Sequence, residues 1–196
     1  MKTKIFLLGL MIVLFTSCKK DQPIVVTTDD YCAAVDTVTG IMVHDIFSPP
    51  VAARVYVYPN IAAYEIIAQN NAKYQSLQGQ LHGLDSIPVL DTKSGVNQKL
   101  AALIAHMEIS KQLIFSEQAL EKYRDSLYEK WGSENQKEFE VSKDYALKVV
   151  DRIKSWMGKD NYKQTRTFPK YSLHTDQAGR WQPTPPAYMD GVEPHW

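Results

Sequence analysis

Through most of this chain apolar residues recur every three or four positions, the period of a helix, and no segment alternates with the period of a strand. From Asp29 to Phe47, the residues Val35, Val38, Met42 and Ile46 mark one face, and Asp29 or Asp30 suits the helix N-terminus. Ser48-Pro49-Pro50 stops that helix and opens the next, since proline is comfortable at a first helical position. Val51 to Gln69 is apolar nearly all round, with Ala52, Ala53, Ala62 and Ala63 as small contact points, which predicts a central, closely packed helix. Pro59 lies inside it and predicts a kink or a split there.

Asn70 to Asn97 holds Gly79, Gly83, Pro88 and Gly95 and reads as a long irregular connection, with a poor strand signal over Ile87 to Leu90. Leu100, Leu103, Ile104, Met107 and Ile114 then give another amphipathic helix. Ser116, as a cap, and Glu117 start a further one, in which Leu120, Tyr123, Leu127 and Trp131 repeat until Gly132. Ser133 with Gln136 three residues on has the spacing of a capping box. The helix that follows turns Phe139, Tyr145, Ala146, Val149, Ile153 and Trp156 inward and stops at Gly158. No internal repeat interrupts this succession. The expected fold is all-α, a multi-helix bundle.

The end of the chain cannot join that bundle as a helix. Half of the ten prolines lie from Pro169 onward, together with Trp181 and Trp196. Proline fixes φ and removes a donor, so Gly179 to Tyr188 reads as a proline-rich extended strap laid over the packed body. An ending on Glu193-Pro194-His195-Trp196 reads as a cut edge, short of the functional end.

At the other end, Lys2 and Lys4 precede an apolar run from Ile5 to Phe15 and then Thr16-Ser17-Cys18. A charged start, an apolar middle and small residues before the cut make a signal peptide over residues 1–17, and the run is too short to span a bilayer comfortably. A cysteine placed directly after the small residues is the lipobox pattern of bacterial lipoproteins, so Cys18 is the expected lipidation site and mature N-terminus. Residues 18–28 read as a flexible tether and residues 29–196 as the body. The expected location is the bacterial cell envelope, at the outer membrane through acylated Cys18. With Cys18 acylated, the one other cysteine, Cys32, has no disulfide partner within the mature chain and is expected as a small buried helix residue. Loss of Lys2 and Lys4 leaves 22 − 2 = 20 basic against 22 acidic residues, a balance with no footprint for nucleic acid.

Sites of chemistry are sparse. His44, His82, His106, His174 and His195 are isolated from one another and read as capped or surface residues rather than ligands. His106 with Glu108 lacks the spacing that places two ligands on one helical face. No paired cysteines, nucleophile elbow or glycine-rich phosphate loop occurs. Glu65, within Ile61-Ala62-Ala63-Tyr64-Glu65-Ile66-Ile67, is a carboxylate whose burial demands a partner. A structural ion pair with Arg54 is the expected one, against the alternative of a site-facing acid.

Three segments together resemble the vanadium-dependent haloperoxidase and type 2 phosphatidic acid phosphatase superfamily. They are Pro49-Pro50-Val51-Ala52-Ala53-Arg54 with Ile61-Ala62-Ala63-Tyr64-Glu65, the helix Lys99 to His106, and Gly179 to Pro186 with Pro194-His195-Trp196. The resemblance implies an N-terminal helical portion lying ahead of a catalytic half. It also implies an anion site for vanadate or a phosphoryl group, built from a lysine six residues before Arg-Pro, then Pro-Ser-Gly-His, then Ser-Arg with a histidine. None of these three motifs stands in the sequence. Lys159 and Arg166 have the first spacing, but Thr167 replaces the proline and the pair precedes the strap. No catalytic, cofactor or metal residue is therefore carried over.

Two functions follow as expectations. One is the helical part of a haloperoxidase-like or phosphatase-like lipoprotein, inert without a missing C-terminal catalytic half. The other is a lipid-anchored helical binding protein that captures a nutrient or ligand through its eleven tyrosines and four tryptophans.

Overall fold

The computed structural model describes residues 21–169, 171–188 and 191. Among them there are five helices and no strand: α1 (Thr28–His44), α2 (Pro49–Ala68), α3 (Gln98–Lys111), α4 (Glu117–Met157) and the short α5 (Tyr162–Thr165). The all-α bundle expected from periodicity is the fold observed.

The centre of the bundle is α3 rather than α2. Every residue from Leu100 to Met107 is buried, so α3 shows no solvent-facing stripe through its middle. Ala101, Ala102 and Ala105 make this enclosure possible, because small side chains let neighbouring helices approach on the faces that the leucines and Ile104 leave. Helix α2 buries Val55, Ala62, Ala63 and Ile66 against the core but keeps Tyr56 and Val57 exposed. Pro59 neither ends nor splits α2; it is buried inside one continuous element. It cannot donate to the Val55 carbonyl. One residue further on, the Asn60 side chain donates to the Tyr56 carbonyl at 2.7 Å.

Helix α1 begins one residue before the expected aspartates. Thr27 is its cap, and Asp30 closes a capping box by accepting from the Thr27 backbone at 2.7 Å. Cys32 lies on this helix but is exposed, contrary to expectation, because the inward positions are Ala34, Val38, Ile41 and Met42. Asp45, just past α1, accepts from the backbone N–H groups of Phe115 and Ser116 at 2.9 and 3.0 Å. The carboxylate thereby caps the start of α4, and the Ser116 hydroxyl donates to it instead of capping its own helix.

The two helices expected on either side of Gly132 form one long element, α4, interrupted at Asn135 (φ −158°, ψ 92°). Asn135 Oδ1 accepts from the Glu138 N–H at 3.0 Å, so asparagine, not Ser133, caps the second segment. The Ser133 hydroxyl turns back to the Lys130 carbonyl.

Residues 22–27, expected as tether, are docked on the bundle. Ile24 and Val26 are 3% and 6% exposed, the Ile24 N–H donates to Glu138 Oε2 at 2.9 Å, and the Gln22 N–H donates to the Glu134 carbonyl at 3.1 Å. Asn97 completes the clasp by donating to the Ile24 carbonyl and to Glu138. At the other end, the described strap residues 171–188 are neither helix nor strand. Tyr171 meets Trp181 edge-on at 5.7 Å, Gln182 donates to the His174 carbonyl, and Trp181 remains 48% exposed.

Candidate functional site

A cleft of about 590 Å3 opens between α1, α2 and the start of α3. Asn60, Ala63, Tyr64 and Ile67 come from α2, where steps of three and four residues keep them on one face. Tyr31 enters from α1, Lys99 and Ala102 from α3, and Tyr74 from the connection that follows α2. The Tyr31 hydroxyl donates to Asn60 Oδ1 at 2.8 Å, and the Tyr64 hydroxyl donates to the Gln75 carbonyl at 2.7 Å. Tyr64 and Tyr74 meet edge to face at 6.2 Å. Burial pushes the Tyr31 phenol well above its ordinary range, so it stays protonated and acts as a donor. The cleft is thus aromatic and mostly apolar, with one ammonium, that of Lys99, among its lining groups. It suits a small amphipathic molecule and offers no paired nucleophile and base.

Tyr31 also meets His106 edge-on at 5.1 Å. His106 was expected at the surface or capped; it is instead 2% exposed, one turn beyond Ala102 on the enclosed helix. Its Nδ1 has no hydrogen-bond partner, and burial pushes its pKa down to about 4. The ring is therefore neutral near pH 7 and cannot balance an anion. His44 and His82 are exposed, as is His174 in the strap, while His195 and Cys18 lie outside the described residues.

Glu65 and Arg54 do not pair. Glu65, with no exposed surface, accepts from the Leu77 N–H and the Ser76 hydroxyl, both at 2.7 Å. It pins the start of the irregular connection to α2 rather than facing a site. Periodicity cannot reveal such a partner, because loop backbone carries no sequence period.

Arg54 reaches Asp160 instead, Nε to Oδ2 at 2.6 Å, and the Tyr58 hydroxyl donates to the same oxygen at 3.0 Å. Its guanidinium lies 4.4 Å from the centre of the Tyr162 ring and 5.1 Å from that of Tyr58. Burial opposes ionisation of Asp160, but the bonds from Arg54 and the Tyr162 N–H outweigh it and hold the carboxyl below its usual range. Arg166 of the sequence pair also lies against Tyr162, at 4.6 Å, and Lys159 is exposed.

These observations define an all-helical scaffold with an aromatic cleft. The crystal structure of a bacterial vanadium-dependent iodoperoxidase, described as the first of its kind, shares 58% sequence identity with this chain at a TM-score of 0.81. The match covers 90% of this chain and 43% of that one, so the chain spans less than half of the relative's length. No family model matches, and neither does any curated protein. Identity of that degree over nine tenths of the chain, on a shared fold, makes this protein a vanadium-dependent haloperoxidase homologue, corresponding to part of such an enzyme.

Vanadate is an oxyanion, and holding it takes convergent cations and hydrogen-bond donors. The described residues do not fit it. Arg54 is engaged by Asp160, Arg124 by Glu108 and Asp125, and Arg152 by the carbonyls of Ser86 and Gly83. The buried histidine is neutral, and no group of three His, Cys, Asp or Glu among the described residues is placed to hold a metal ion.

Proposed function

We propose that this chain is the helical scaffold portion of a vanadium haloperoxidase-like enzyme, held at the bacterial envelope by a lipid on Cys18. Halide oxidation, on this reading, requires a catalytic half corresponding to the rest of the relative's length. The observation that carries it is the pairing of 58% identity with coverage of only 43% of the iodoperoxidase chain. The engagement of Arg54, Arg124 and Arg152 by other groups supports the same division, since none is left pointing at a shared anion site. Mixing the isolated chain with vanadate, iodide and peroxide should give no oxidised iodine, and a vanadium-51 resonance should stay that of free vanadate. Turnover, or a bound vanadate signal, would overturn the reading. The lipid on Cys18 is checked separately, by fatty-acid labelling of the wild type and of Cys18→Ser in a bacterial host.

The cleft favours a second reading, that of a lipid-anchored binding protein for a small amphipathic molecule. Its aromatic walls and the Lys99 ammonium support it. Calorimetry against a panel of aromatic carboxylates tests it: binding weakened by both Tyr31→Ala and Lys99→Ala is expected, and binding insensitive to both would refute it.

A further inference from the structure

The docking of residues 22–27 fixes where the N-terminal segment leaves the bundle. The Gln22 N–H is bonded to the Glu134 carbonyl, at the interruption of α4, and Ile24 and Val26 are buried behind it. From Cys18 to Gln22 there are four backbone steps, which span at most roughly 14 Å when fully extended. A lipid on Cys18 would lie at the bilayer boundary, so the interruption of α4 at Asn135 could not move far from the headgroups.

We propose that the surface around the interruption of α4, presenting exposed Lys130, Ser133 and Lys137, is the face that lies against the lipid bilayer. The inference rests on acylation of Cys18. Exposed Glu129 and Glu140 flank the two lysines, so the patch has no strong charge of either sign. The short leash, rather than charge attraction, selects this face. Lys154 lies about 28 Å from Asn135 along the axis of the same helix at 1.5 Å per residue, well beyond the reach of the leash.

Lysine footprinting tests this. The acylated chain is reconstituted in vesicles of phosphatidylethanolamine and phosphatidylglycerol and treated with an amine-acetylating reagent. The Cys18→Ser chain in solution serves as reference. Acetylation of Lys130 and Lys137 should fall several-fold on vesicles, while that of Lys154 and Lys159, exposed at the far end, should not change. A second variant carries about twelve Gly and Ser residues inserted between Lys20 and Asp21, a spacer of about 20 Å. It should remain acylated and lose the protection.

Uniform protection, protection of Lys154 instead, or protection that survives the spacer would each overturn the proposed face while leaving the lipid anchor intact. Absence of the lipid from the intact-mass spectrum would overturn the anchor and the facing together.

Discussion

Arg54 and Asp160, 106 residues apart in sequence, meet at 2.6 Å and tie the first half of α2 to the turn beyond α4. The pair is mostly shielded from solvent, and the Tyr58 and Tyr162 rings lie against the guanidinium. Arg54→Ala leaves a shielded carboxylate without its cation and should cost about 2 kcal/mol in urea unfolding. Arg54→Lys should recover only part of this, because an ammonium cannot lie flat on Tyr162 in the same way. The pH dependence has a definite sign. The folded-state pKa of Asp160 is depressed, so the stability it contributes is present above its ordinary value of 3.8 and is lost as pH falls below it. Asp160→Asn should remove that acid-side loss.

His106 produces a slope in a different window. Its pKa falls from 6.5 to about 4 on folding, so the unfolded chain binds the extra proton between those values. Stability is then full above about pH 6.5 and declines toward pH 4, by up to about 3 kcal/mol. His106→Leu should flatten the profile over that range. Because Nδ1 has no partner to lose, the same change should cost less than about 1 kcal/mol at pH 7. An unchanged slope in the leucine variant would assign the effect elsewhere.

Glu65 is predicted to secure the connection after α2. Glu65→Ala strands the Leu77 N–H and the Ser76 hydroxyl and should cost about 3 kcal/mol. Limited proteolysis should then cut within residues 70–97 sooner than in the wild type. Glu65→Gln keeps one acceptor oxygen and should fall between the two.

The start of the second segment of α4 separates two candidate caps. Asn135→Ala should cost about 1 kcal/mol, because Asn135 accepts from the Glu138 N–H. Ser133→Ala should stay within about 0.5 kcal/mol, since that hydroxyl only returns to the Lys130 carbonyl. Equal losses in chemical denaturation would contradict the assignment.

The same residues show what periodicity reveals and what it hides. The stripes led by Val38, Ile66, Leu103 and Val149 are legible as helices because burial repeats along them. The ranking of the helices was not legible. Ala101, Ala102 and Ala105 are compatible with either an exposed or an enclosed face, and only the neighbours show that α3 is enclosed. The glycine at 132 drew the expected break three residues early, since glycine is a general stop signal whereas the asparagine cap acts through one specific bond. Ile24 and Val26 form too short an alternation to announce docking. As for the site, the cleft combines α1, α2, α3 and a loop, and such a meeting has no signature in any single segment.

The enclosure of α3 carries a consequence for how such a sequence can diverge. A surface helix drifts freely on one side, but a helix buried from Leu100 through Met107 has no neutral side. Each substitution there must be matched by a change of volume in a facing helix, so α3 should evolve by coupled exchanges. The exposed faces of α1 and α4 are where unlinked variation can accumulate.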